Sequence, residues 1–263
     1  MAGTVYHVPV LMRGSNIHPA KGGCLVELST TLPGGMWTAY PAHVDQALVA
    51  LARMVNDATS DERRLNLIGL VPWLVGLRLE NCDRTGPLIA ILAARESLRH
   101  ADRATGERLK NAVATISEIG DGDVGRWRRL RQTHLVHRTI RLAVAACTGS
   151  PESDETLRGL LVDAINLVRD LDGLPDLTDV PVVAAGYPLT LPVHVTLHVA
   201  GEDTHYRCVA LRGEWPEPLN EAWQARMREL SRRRVAGHGN QVGDAARPAT
   251  QVRRRRPEPP SPR

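Results

Sequence analysis

The chain of 263 residues contains no phenylalanine, and aromatic residues make up only 3% of it. Hydrophobic residues nevertheless account for 43%, which is ordinary for a globular protein. A chain of this length buries enough apolar surface to fold without disulfides or structural metals. We therefore expect a hydrophobic core built from Leu, Val, Ala and Ile.

Paired cysteines are also missing. The four cysteines are spaced roughly 60 residues apart and include no C-x-x-C pair, which favours separate buried thiols over a disulfide framework or a metal site. His194 and His198 lie about 13 Å apart on a predicted strand, too far to share one metal ion. The sequence predicts no metal site and no cofactor. The cysteines are Cys24, Cys82, Cys147 and Cys208.

No apolar run approaches the roughly 20 residues that a membrane-spanning helix needs. The first residues show no basic segment followed by an apolar one, so no signal peptide is expected. We expect a cytoplasmic protein without a membrane partner.

Lysine is nearly absent, with two residues against 31 arginines, and this bias partly reflects a GC-rich coding sequence. The charge is divided by position. From Arg226 onward there are 11 arginines and three acidic residues, whereas the preceding part is mildly acidic. Residues 237–263 are rich in Arg and Pro and lack hydrophobic periodicity, which predicts a disordered basic tail.

Catalytic motifs are absent. The sequence has no G-x-S-x-G, no phosphate-binding G-x-x-x-x-G-K-[ST], no H-E-x-x-H and no G-x-G-x-x-G. No reaction class is specified, so whether the protein is an enzyme stays open, and a non-enzymatic role is favoured. The isolated residues with catalytic chemistry are Cys24, Glu27, His43 and Asp57.

Hydrophobic spacing predicts a mainly α fold. Apolar residues recur every three or four positions in a helix that begins near His43, and again over 87–103, 105–118, 126–147, 153–170 and 219–234. A further helix is expected over about 61–70, with Thr59 and Glu62 as a capping box or Ser60 as the alternative cap. Alternation over 189–199, a turn at 201–203 and a partner run over 206–211 predict a small antiparallel β-hairpin element near residues 180–212. We expect a helical domain over residues 1–236 and a tail over 237–263.

The predicted helix 126–147 is basic in its first half, where Trp127 is also available to stack on bases. The alternative is that its arginines pair with acidic residues such as Asp121, Asp123 and Asp154. The tail could likewise bind nucleic acid, aid solubility or fold back on the acidic body. The candidate nucleic-acid-binding residues are Arg128, Arg131, Arg138, Arg232, Arg233, Arg234, Arg253, Arg254, Arg255 and Arg256.

Two segments carry a resemblance. Cys24–Glu27 has the pattern C-L-x-E, and Val55–Asp61 has the pattern V-N-D-x-T-S-D at the end of a predicted helix. Together with the flanking residues up to Pro72, these segments resemble a stretch that recurs in uncharacterised proteins of GC-rich actinobacteria. The resemblance implies a helical, cytoplasmic protein and carries no activity or site residue with it.

Three functions are therefore compatible with the sequence. The leading hypothesis is a regulatory or accessory protein that binds a macromolecular partner, either a protein or nucleic acid through the basic tail. The second is an enzyme of a biosynthetic pathway that uses the four isolated residues. The third is a structural module that self-associates into a homo-oligomer through apolar helices.

Overall fold

A computed structural model describes residues 5–16, 18–31, 37–78, 84–119, 126–177, 193–199 and 202–212. Within these residues, seven α-helices dominate, which confirms the prediction of a mainly helical protein. The helices are α1 (Leu25–Thr31), α2 (Gln46–Ala58), α3 (Val71–Leu74), α4 (Thr85–Ser97), α5 (Arg103–Ile119), α6 (Arg126–Ala146) and α7 (Ser153–Leu171). Short 3-10 helices span Pro19–Lys21 and Arg64–Leu70.

Helix α2 begins at a cap that its sequence supplies. The side chain of Asp45 accepts hydrogen bonds from the backbone N–H groups of Ala47, at 2.8 Å, and Leu48, at 3.3 Å. These are donors that the first turn of a helix cannot satisfy internally. The residues that recur at helical spacing, among them Leu48, Leu51 and Val55, are fully buried.

The core is aliphatic, as its composition requires. The largest fully buried side chains are all Leu or Ile. Helices α4 and α6 pack against each other, and both carry small residues that are completely inaccessible to solvent: Ala90, Ala93 and Ala94 on α4, and Ala143 on α6. Alanine lets two helix backbones approach closely, so α6 lies against the centre of the bundle along one face. Helix α7, which lies within the predicted helical range 153–170 to within a residue, buries an apolar face that consists of Leu157, Leu160, Leu161, Ala164, Ile165 and Val168.

A three-stranded antiparallel sheet accompanies the helices. It contains β1 (Val5–Pro9), β2 (Val193–Val199) and β3 (Glu202–Arg212), with β3 between the other two. Tyr6 is opposite Leu211, and Val195 is opposite Tyr206. The rest of the predicted β-element (180–192), a helix predicted over 219–234 and the predicted tail lie outside the described residues, and the domain boundary at 236 stays a prediction.

The corner after α2 differs from its prediction in one detail. A capping box with Thr59 as the cap and Glu62 as its partner was expected, with Ser60 as the alternative cap. The Thr59 hydroxyl instead donates to the carbonyl of Val55, at 2.7 Å. The Ser60 Oγ accepts from the N–H of Arg63 at 3.3 Å and so closes the turn before the next helix, whose own N-cap residue, Arg63, makes no side-chain cap bond. The segment that follows is a 3-10 helix from Arg64, where an α-helix was expected from about 61.

Asp154 fixes this corner to α7. It lies in the first turn of α7, where it accepts from the Ser60 N–H at 2.8 Å and from the Ser60 hydroxyl at 2.5 Å. These residues are 94 positions apart in the chain. The pair therefore joins two helix ends that only tertiary folding brings together.

Replacing Asp154 by Ala should lower the free energy of unfolding by about 1–2 kcal/mol, because two hydrogen bonds to a partly buried carboxylate are lost. The measurement is equilibrium denaturation. Glu155→Ala removes the same charge from the neighbouring exposed position and should change stability by no more than about 0.5 kcal/mol. Equal losses in the two variants would show that the helix-end charge, and not the contact with Ser60, is what matters.

Candidate functional site

The N-terminus of α1 is closed by a buried carboxylate. Glu27 is completely buried, and its Oε2 accepts the backbone N–H of Cys24 at 2.9 Å. This is the reciprocal half of a capping box, in which the third helical residue bonds back to the cap residue. The other oxygen, Oε1, accepts the Ser15 hydroxyl at 2.5 Å and the Asn16 N–H at 2.9 Å. One side chain thus holds both a helix end and the loop that precedes it.

Asn56 and Asp57 hold the same region from α2. The Asn56 Oδ1 accepts the N–H of Leu25 at 3.3 Å, and its amide nitrogen donates to the carbonyl of Met12 at 2.7 Å. The Asp57 Oδ1 accepts the N–H of Gly14 at 2.8 Å. The C-L-x-E and V-N-D segments therefore meet in one network, called here the polar junction: Ser15, Asn16, Glu27, Asn56 and Asp57.

Trp37 packs against the polar junction and explains why a glycine, Gly23, lies beside it. Its indole Nε1 donates to the carbonyl of Asn16 at 2.7 Å. A Cβ on Gly23 would overlap the Trp37 ring. Gly23 is also held by backbone, because its N–H donates to Val10 and its carbonyl accepts from Met12. Residues 10–23 therefore form a closed loop whose two ends are hydrogen-bonded to each other.

Arg64 is a buried cation that the sequence analysis did not single out. Its side chain is 5% exposed, and it donates to the carbonyls of Asn56 at 2.9 Å and Thr59 at 2.7 Å. Its third partner is the carboxylate of Asp61 at 2.7 Å. These carbonyls belong to the C-terminal end of α2, whose dipole favours a positive charge. The only hint in the sequence is an arginine placed shortly after the end of a helix.

The four catalytic candidates occupy different environments. Cys24, Glu27 and Asp57 belong to or border the polar junction, whose hydrogen bonds are structural. Burial raises the pKa of the Cys24 thiol to about 12, so the thiolate that a nucleophile requires is not populated at neutral pH. The carboxylates of Glu27 and Asp57 accept hydrogen bonds from backbone N–H groups, and those bonds hold the loop 10–23 in place.

His43 lies apart from this network, in the turn before α2. It is half-buried and hydrogen-bonds to the backbone of Ser29, while its Nε2 has no hydrogen-bond partner among the described residues. Burial lowers the pKa of His43, so the ring is neutral at pH 7. A neutral imidazole can accept a proton, but no hydrogen bond joins it to Cys24, Glu27 or Asp57.

The solvent-facing side of α6 is basic. The 21 residues of α6 include no Asp or Glu. Its residues on one exposed face, Arg131, His134, Arg138 and Arg141, are called here the basic stripe. Arg131, Arg138 and Arg141 form no ion pair with any described residue. Burial, together with the positive charges of Arg141 and His134, lowers the pKa of His137 beside the stripe.

A groove runs beside the basic stripe, between α5 and α6, with a volume of about 250 Å³. Helix α6 contributes Leu135, Arg138, Thr139 and Leu142, and helix α5 contributes Arg108, Asn111, Ala112 and Thr115. Arg138 therefore belongs to both the stripe and the groove. Arg108, on the neighbouring helix, was not among the sequence candidates because only the packing of α5 on α6 brings it there.

The arginine candidates are thus placed in part. Arg131 and Arg138 are exposed on α6, and Arg128 is in the first turns of that helix, with its side chain outside the described part. Asp154, proposed as a partner for these arginines, bonds to Ser60 instead. Asp121, Asp123 and the tail arginines lie outside the described residues.

Comparisons with known proteins add no function, because no family model, curated protein or solved structure matches the chain. The likeness of residues 23–72 to an actinobacterial segment stays a sequence resemblance. In the described part, no group of three or more His, Cys, Asp or Glu side chains could hold a metal ion. None of the helices described is both long and apolar enough to cross a bilayer.

Glu27→Gln should destabilise the protein by about 1–3 kcal/mol, since the amide nitrogen of Gln faces buried donors that the carboxylate accepted. Chemical denaturation measures the loss, and amide hydrogen exchange should speed up at Asn16. Glu62→Gln, at an exposed position, is the matched control with little effect. Full stability of the Glu27 variant, combined with loss of a biological activity, would instead support a catalytic carboxylate.

Cys24 and Cys147 should resist alkylation in the native protein. Burial raises the pKa of both thiols, and both side chains are almost inaccessible. Iodoacetamide at pH 8, followed by peptide mass spectrometry, should leave these two residues unlabelled until denaturant is added. Rapid labelling of Cys24 without denaturant would contradict the structural role assigned to it.

Proposed function

We propose that the protein is a non-enzymatic, cytoplasmic regulatory or accessory protein that binds nucleic acid through the basic stripe of α6. The observation that carries this proposal is an exposed helical face with three arginines, no acidic residue on its helix and no ion pair to the described residues. The predicted basic tail would add a second, less ordered contact.

The placement of the arginines argues against coding bias as their whole explanation. Bias raises the number of arginines everywhere, and some of the described ones, such as Arg13, Arg64 and Arg99, lie beside a carboxylate. Others form no ion pair with a described residue, and the basic stripe gathers three of these on one exposed face of a helix that has no acidic residue. Uncompensated guanidinium groups on one helix face repel each other, so this arrangement adds nothing to stability by itself. Binding to a polyanion would relieve that repulsion.

The dimensions of the stripe suit a phosphate backbone. Arg131 and Arg141 are separated by about 15 Å along the helix at the usual rise per residue. Duplex DNA presents about one charge per 1.7 Å of axis, so the stripe would face several phosphates at once. Arginine contacts phosphate oxygens bidentately, which fixes orientation as well as adding affinity.

The enzyme hypothesis has weaker support in the geometry. Of its four candidate residues, Glu27 and Asp57 hold backbone groups of the loop 10–23, and Cys24 is a buried thiol. Binding through an exposed, charged surface requires no such activated group. The stripe is therefore the better-supported functional surface.

Replacing Arg131 and Arg138 together by Glu should weaken binding of a fluorescent oligonucleotide by at least about tenfold at 50 mM salt, because two phosphate contacts become repulsive. The plot of log affinity against log salt should become shallower by about two units. Fluorescence anisotropy across a salt series measures both quantities.

The control is a Lys21→Glu and Arg63→Glu double variant, which changes the net charge equally at exposed sites away from α6. It should bind nearly as the wild type does. A truncation to residues 1–236 measures the share of the tail. Two outcomes would overturn the proposal. One is wild-type binding that does not depend on salt, and the other is an equal loss of binding in the two double variants.

A further inference from the structure

The groove between α5 and α6 has a different chemistry from the basic stripe beside it. Leu135 and Leu142, about two helical turns apart on α6, form apolar lining together with Ala112 of α5. The hydroxyls of Thr115 and Thr139 donate to the carbonyls of their own helices, at 2.9 and 2.8 Å. Much of the groove's lining is therefore apolar.

The rim of the groove is cationic on both sides. Arg138 of α6 and Arg108 of α5 both line it, and both are exposed. Neither forms an ion pair with a described residue. Hydrogen bonds from Thr105 are the main cause that lowers the pKa of Asp102, just before α5, and Arg108 adds a lesser contribution. The Asn111 side chain adds an amide to the lining. An occupant must therefore combine an apolar face with a negative charge.

We infer, building on the proposed function, that the groove takes an unpaired nucleotide, so that the partner is single-stranded nucleic acid. The phosphate binds Arg108 and Arg138, and the face of the base or sugar lies on Leu135 and Leu142. A duplex hides the faces of its bases by stacking, whereas a single strand can splay them out onto a protein surface.

The size of the groove supports this occupant. Its volume of about 250 Å³ is suited to one monomer unit and is much too small for a double helix. Pockets for small ligands have volumes of roughly 300–1,000 Å³, so the groove is somewhat smaller than a typical small-ligand pocket. Because Arg138 also belongs to the basic stripe, the flanking phosphates of the same strand would continue along α6.

The test compares a 20-nucleotide single strand with the matching duplex by anisotropy, using the full chain. The wild type should prefer the single strand by at least about tenfold. Thr115→Leu fills the groove from an exposed position without changing charge, and should weaken single-strand binding by about tenfold while leaving duplex binding unchanged. Ala114→Leu adds an apolar side chain at the neighbouring exposed position outside the groove and is the matched control.

A second groove-filling variant, Ala112→Leu, guards against a folding defect, and the melting temperature of each variant is recorded. A single strand carrying a photoreactive base should also crosslink to the peptide that contains Leu135 and Leu142. One outcome would overturn the groove assignment and retain the proposed function: the protein binds both nucleic acids equally and in a salt-dependent way, and Thr115→Leu leaves that binding unchanged. Absence of binding to either nucleic acid would overturn both.

Discussion

The hydrogen bonds that end at Glu27 and Asn56 constrain the N-terminal third of the fold. Helix α1 is only seven residues long, and an isolated helix of that length is not stable in water. It forms because its free N–H groups have fixed acceptors, the carboxylate of Glu27 for Cys24 and the amide of Asn56 for Leu25. The same acceptors hold the loop 10–23 against α1 and α2, so helix end, loop and bundle are ordered together.

Periodicity was sufficient to predict the longer helices and insufficient for this region. The buried face of α2, which includes Leu48, Leu51 and Val55, was predictable because the residues that form it recur at helical spacing within the sequence of the helix itself. The acceptor that completes α1 is 31 residues away from Leu25, and no pattern within Cys24 to Leu28 contains it. The resemblance at residues 23–72 includes both segments but does not predict the hydrogen bonds between them.

The candidate binding surface was predictable to a similar degree. The basic character of the helix at 126–147 is visible in the sequence, and Arg131 and Arg138 were identified from it. Which arginines face solvent depends on which side of α6 meets α4, and that side is set by buried residues such as Ile140 and Ala143. Arg108 could not be identified, because its relation to Arg138 exists only once α5 has packed against α6.

The packing of α6 against the core determines where its positive charges lie. One side of the helix is buried against the core, so the cations of the basic stripe lie close together on the exposed side. The lowered pKa of His137 reports part of this crowding, with Arg141 and His134 adding to the effect of burial. A surface optimised for stability alone would place acidic residues at helical spacing among these arginines, as Glu96 and Glu107 do for Arg99 and Lys110. No Asp or Glu occurs in the 21 residues of α6, and no described carboxylate forms an ion pair with Arg131, Arg138 or Arg141. Among the described residues this charge is therefore uncompensated, which is the basis of the proposal that the stripe binds an anion.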